Sequence, residues 1–213
     1  MIRNSNFTHI FDKFKSVIYD DTTHSYTLDG NKLENVTTYL TNKYLKPFDK
    51  WKIASILATT TDKPSHYWID YWKLTGDEAS IVGSRVHLFA SWYSNKSKPK
   101  DKLEEAVRDF YEDHLKDGWT IVCTELCVHN DKLAGRFDLL MYKPQEGYWL
   151  LDFKTTKKDL IKDTKELKNG GSITLIDFYG MQLKCYEYLL GLDTIKKSVV
   201  HIKESGYTLF DIV

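Results

Sequence analysis

With 213 residues the chain is long enough for one good core, and it holds no glycine- or serine-rich linker of domain-separating length. Its 30 basic and 30 acidic side chains cancel, so net charge neither selects nor excludes a polyanionic partner and only local clusters carry information. Cys123, Cys127 and Cys185 are too few for a disulfide framework and show no CxxC spacing, so they read as small buried thiols in a reducing compartment. No apolar run approaches the roughly 18 residues of a membrane span. The first residues lack the apolar core of a secretory signal, and the expectation is a soluble, cytoplasmic protein without a membrane partner.

In chain order, Ser16 to Leu33 contains two alternating runs split by Asp20, Asp21, Thr22 and Thr23, the pattern of a small hairpin. From Val36 to about Lys73 apolar residues recur at helical intervals, and Tyr67, Trp68, Tyr71 and Trp72 read as a buried stripe rather than a platform for bases. Residues 1–75 are thus expected to form a mainly helical elaboration on a core of residues 76–213, within one compact domain. Gly76 is expected to open a separate helix to about Tyr93, with Asp77 as cap and Ile81, Val82, Val86, Phe89 and Trp92 as its apolar stripe. A further helix follows from Leu103 to Lys116, then strands at 119–128, 133–142 and 148–154. Residues 156–171 read as a polar connection, 176–190 as a helix stopped by Gly191, and 198–202 and 207–212 as closing strands. The order suggests an α/β or α+β sheet with helices on its faces.

Within the strand ending at Lys154, side chains alternate, so Asp152 and Lys154 share one face and Leu151 and Phe153 the other. Asp138 is a second acid lodged in an apolar run, and Pro144 and Gly147 suit a tight turn between the two runs. A hairpin sets its strands within about 5 Å, so Asp138 and Asp152 converge if their faces match, and a divalent cation is the simplest way to neutralise them. Glu125 sits in a run so apolar that it must face a cation, a donor or water. Arg136 contacts a phosphate or pairs with an acid. Among the lysine clusters, Lys157 and Lys158 begin just past Lys154, where contact with a phosphate backbone is credible. Gly83, four before His87, is expected to let a strand or substrate approach closely.

The series Gly83 to His87, Glu125, Gly135 to Asp138, Asp152-Phe-Lys154 and Gln182 to Tyr186 resembles the PD-(D/E)XK nuclease superfamily, most closely its RecB-like branch with phage and mitochondrial exonucleases. The resemblance spans about residues 80–190 and implies a restriction-endonuclease-like mixed sheet flanked by helices. It further implies that Asp138 and Asp152, with His87 and Glu125, ligate a metal and that Lys154 orients or deprotonates the attacking water. Gln182 and Tyr186 match a motif that supports the site and the scissile strand. Carboxylates favour Mg²⁺ or Mn²⁺, and an imidazole tilts the preference toward Mn²⁺. Three cysteines do not reproduce the four-cysteine iron–sulfur cluster of some relatives, so none is expected. The implied activity is a deoxyribonuclease, an exonuclease on DNA ends or single strands in replication, repair or recombination. The alternatives are a structure-specific endonuclease and a non-catalytic binding module that keeps the fold.

Overall fold

In the computed structural model, which describes residues 1–192 and 195–213, a mixed eight-stranded sheet carries helices on both faces. After a short helix α1 (Thr8–Asp12), strands β1 (Val17–Asp20), β2 (Ser25–Leu28) and β3 (Asn31–Asn35) form an antiparallel meander. The third strand lies beyond the expected hairpin, after the left-handed pair Asp29 and Gly30. Helices α2 (Val36–Tyr44), α3 (Lys50–Thr60), α4 (Ser65–Ser91) and α5 (Lys102–Lys116) follow. Asn35 and Asp101 cap α2 and α5 by accepting from free backbone N–H groups.

Strands β4 (Thr120–His129), β5 (Leu133–Lys143) and β6 (Gly147–Lys154) make the expected antiparallel run. A small hairpin, β7 (Thr164–Glu166) and β8 (Ser172–Thr174), leads into α6 (Leu175–Leu190), which ends at left-handed Gly191. Strand β9 (Ile195–Lys203) runs parallel to β6, and β10 (Gly206–Asp211) pairs antiparallel with β9. The expected mixed sheet between helices is therefore present.

Two apolar layers hold it. Leu140, Leu150, Phe137, Leu183 and Tyr186 belong to the layer under α1, α2 and α6. Leu139, Leu151, Trp149 and Phe153 pack on the other side against Val86 of α4 and Phe110 and Tyr111 of α5. The alternation of Trp149, Leu150 and Leu151 between layers confirms the period-two reading of β6.

Two helical expectations are corrected. Helix α4 is continuous for 27 residues and does not restart at Gly76. Nothing lies near the space a Cβ would fill there, and a helical glycine costs only about 1 kcal/mol against alanine. The stripe of Tyr67 and Tyr71 is not core, since the two rings are 41% and 47% exposed, and Ile81 and Trp92 also face solvent. The first half of α4 packs chiefly on α3, so its apolar residues outnumber the neighbours that could cover them. The β7–β8 hairpin escapes a reading by alternation because its strands, Thr-Lys-Glu and Ser-Ile-Thr, are only three residues long.

Two histidines, buried His201 and half-buried His114, favour neutral over acid pH. Burial holds His114 and His201 below the ordinary imidazole range; His201 Nε2 lies 2.7 Å from the Thr156 carbonyl, while His114 Nε2 is buried without a partner. Above about pH 6.5 neither the folded nor the open chain protonates them. Below it the open chain binds protons first, and stability drops by at most ~1.4 kcal/mol per pH unit for each group. Relative to His114→Phe, a comparison in which groups of opposite sign such as Glu125 and His87 cancel, the urea midpoint of the parent is expected to decline from neutrality to mild acid.

Candidate active site

The site forms where the sheet opens. Strand β4 occupies one edge of β5, and the other edge is shared: β3 pairs in parallel with its start, Asn35 against Ala134, and β6 with its end, from Leu139 against Leu151 onward. Gly135 to Asp138 therefore face a gap between β3 and β6. Beyond the last pair, Asp138 lies level with Asp152, and its Oδ2 accepts the Phe153 N–H at 2.6 Å in place of a ladder bond.

Both β4 and β5 switch faces at this level. Cys123 and Leu126, and likewise Phe137 and Leu140, pack in the same layer although three apart, whereas a regular strand would send such residues to opposite faces. On β4 the switch coincides with Glu125, which has a left-handed backbone at φ 53°. That conformation costs a non-glycine residue on the order of 1 kcal/mol or more, and such strain gathers at functional positions. Glu125 lies between Thr124, paired with Leu139, and Leu126, paired with Phe137, which sets it opposite Asp138.

Around the gap, His87 Nδ1 lies 3.1 Å from Asp138 Oδ1. Donor atoms of His87, Glu125 and Asp138 all fall within 4.8 Å of one another, a group able to hold a metal ion. Lys154 Nζ is 2.5 Å from Asp152 Oδ2, but off the direction of a hydrogen bond, so that buried oxygen has a counter-charge and no directed donor. The Lys154 ammonium also sits 4.7 Å over the Tyr179 ring. Arg136 Nε lies 2.7 Å from Glu125 Oε2 as an ion pair, and the same guanidinium pairs with Asp21 and lies over the Tyr19 ring.

Helix α6 closes the floor. Gln182 Nε2 donates to the Tyr186 hydroxyl at 2.7 Å and to Thr37 Oγ1 at 3.1 Å. Arg85 Nη1 reaches the buried Glu104 Oε1 at 2.5 Å and ties α4 to α5, which steadies His87 two residues on. The resulting cleft, about 930 Å³, is walled by His87, Leu88, Trp92, Glu125, Arg136, Asp138, Asp152, Lys154, Gln182, Tyr186 and the amino-terminal Tyr19 and His24.

Electrostatics bind these groups into one unit. Burial pulls His87 down, but the Asp138 carboxylate outweighs it and raises the imidazole to about 9. Burial raises Asp138 too, yet His87, Lys154 and the Phe153 N–H together bring it below the usual carboxylate range. Burial and then the Asp138 charge push Glu125 up to about 7 despite Arg136. Asp152 is also raised, by burial first, with Lys154 opposing and Asp138 adding. Lys154 is raised because Asp152 and Asp138 overcome its burial. Three crowded acids with displaced proton affinities mark a cleft built for charge.

His87, Glu125, Arg136, Asp138, Asp152, Lys154, Gln182 and Tyr186 thus meet in one cleft. Lys157 and Lys158 are exposed on the loop after β6 and take no part in the cleft wall. Gly83 lines the cleft, and on the side of the sheet an added Cβ would meet Thr155 Oγ1 at an ordinary 3.5 Å, so no close approach of a strand requires a glycine there. Gly135 is the constrained glycine: its Cβ would lie 2.4 Å from Tyr186 Cε1. Tyr179, Thr37, Tyr19 and Asp21 were not singled out in sequence. Tyr179 alone left a trace, one helical turn before Gln182.

No curated protein matches this chain. Among solved structures, SSO0001 is similar at 12% identity and a TM-score of 0.38, over 96% of this chain and 73% of that one. The profile of the PD-(D/E)XK nuclease superfamily matches residues 61–212, a span that contains every charged group around the gap from His87 to Lys154. A sheet opened beside two level aspartates, a lysine two residues past the second, and a sequence match over most of the chain lead to one conclusion: this protein belongs to the PD-(D/E)XK nuclease superfamily.

Proposed function

We propose that the protein is a Mg²⁺- or Mn²⁺-dependent deoxyribonuclease that shortens DNA from ends or single strands, in replication, repair or recombination. The observation that carries this reading is the meeting of Asp138, Asp152 and Lys154 at the gap in the sheet, with His87 and Glu125 beside them. A divalent cation fits the residues present. The donor set is hard oxygen plus one imidazole, and the buried Asp152 Oδ2, which accepts no hydrogen bond, suits a ligand oxygen. His87, Glu125, Asp138 and Asp152 would hold it, and when bound it screens the phosphate oxygens and lowers the pKa of coordinated water.

The chain's own groups do the rest. Lys154, whose proton affinity Asp152 and Asp138 raise against its burial, is placed as an ammonium to hold the nucleophile and stabilise developing negative charge. Tyr179 fixes that ammonium from below. Gln182 and Tyr186 offer polar atoms to the scissile strand, Arg136 steadies Glu125 and stands ready for a phosphate, and Lys157 and Lys158 extend the basic surface toward the backbone.

Labelled linear single- and double-stranded DNA and covalently closed circles, incubated with Mg²⁺, Mn²⁺ or EDTA, test the reading. Metal-dependent loss of linear substrates with intact circles is expected. Cut circles would replace the exonuclease with an endonuclease, and binding without cleavage under any metal would favour the non-catalytic module.

A further inference from the structure

Trp92 is 63% exposed on the cleft wall and Leu88, one turn earlier on α4, is 61% exposed beside it. Both line the same cleft as His87. Scattered surface apolar residues need no explanation, but Trp92 is held out by buried neighbours. The Ala90 carbonyl accepts the Tyr111 hydroxyl at 3.0 Å, the Ser91 carbonyl accepts Thr124 Oγ1 at 2.9 Å, and Tyr93 stacks on Tyr111 with ring centroids 4.3 Å apart. Residues on both sides are thus pinned to α5 and β4, while the Trp92 ring pairs with no other ring or cation among the described residues.

An indole on a pinned backbone, exposed beside a cleft whose acids would hold a cation, suits a flat apolar ligand whose attached phosphate reaches that cation. We infer that Trp92, with Leu88 beneath it, is a stacking subsite for an unpaired nucleobase next to the cleaved phosphate, and that it makes the enzyme prefer single-stranded or frayed DNA over closed duplex. The inference rests on the proposed nuclease reading and adds the strand state of the substrate. Bases inside a duplex stack on each other and leave no face for the indole, whereas each stacked unpaired base gains about 1 to 3 kcal/mol.

The test is binding, free of turnover. Fluorescence anisotropy of labelled single-stranded oligonucleotides and a blunt duplex is measured with Ca²⁺ in place of Mg²⁺ or Mn²⁺, the oligonucleotides being checked as uncleaved, for the parent, Trp92→Ala and Trp92→Phe. Trp92→Ala is expected to weaken single-strand binding by roughly 10-fold, to leave duplex binding within about 2-fold, and to be largely rescued by Trp92→Phe. Equal weakening of both substrates, or none, with a parent that does bind, overturns the subsite and spares the nuclease reading. A parent that binds neither form overturns both.

Discussion

Glutamine in place of Lys154 is expected to cut DNA hydrolysis by roughly 10²- to 10³-fold while nucleic-acid binding persists. Lys154 is the cation nearest to Asp152, at 2.5 Å, and its proton affinity is raised by Asp152 and Asp138 despite burial. Its loss removes the fixed positive charge that would face a developing oxyanion, which a neutral amide of similar length cannot replace. The fold survives because Asp152, already raised by burial, can take up a proton once the ammonium is gone, so the pocket avoids an unpaired buried charge. Turnover assays paired with anisotropy in Ca²⁺ check both halves. Parent-like cleavage by Lys154→Gln would remove the lysine from the chemistry, and lost binding would make it a substrate anchor instead.

Gly135→Ala is expected to damage the protein more than its single methyl suggests. The added Cβ would lie 2.4 Å from Tyr186 Cε1 and 3.2 Å from Val36 Cγ2, and neither neighbour has open space, since Tyr186 is 3% exposed and Val36 fully buried. Overpacking of this kind costs about 1 to 3 kcal/mol, which for a chain of this size lowers the melting temperature by several degrees, at ~2–4 °C per kcal/mol. Displacing the ring also breaks the Gln182–Tyr186 hydrogen bond at the cleft floor, so cleavage falls with stability. Tyr186→Leu removes the obstacle, and the double variant is expected to recover part of the melting temperature lost by Gly135→Ala. Additive losses in the double variant would mean that the two residues do not compete for space.

The legible part of the site was the part set by period and short loops. Asp152 and Lys154 share a strand face by alternation alone, a tight turn brings Asp138 level with Asp152, and Gln182 and Tyr186 fall one helical turn apart. What escaped depends on pairs distant in sequence or on backbone geometry. Gly135 looks free until Tyr186 stands against it. Glu125 carries no sign of its left-handed backbone, because nothing about a glutamate in an apolar run announces it. Tyr67, Tyr71 and Ile81 on α4 were misread as covered because helical spacing records which residues share a face, not whether anything covers that face.

The parallel pairing of Asn35 with Ala134 also governs the order of assembly. Antiparallel β1 to β3 can close as they leave the ribosome, but their mooring in the main sheet must wait for β5, and Thr37 must wait longer for Gln182 on α6. A nascent chain thus carries its future cleft wall unanchored through most of translation. The cleft has both its wall and its floor only once α6 has been made.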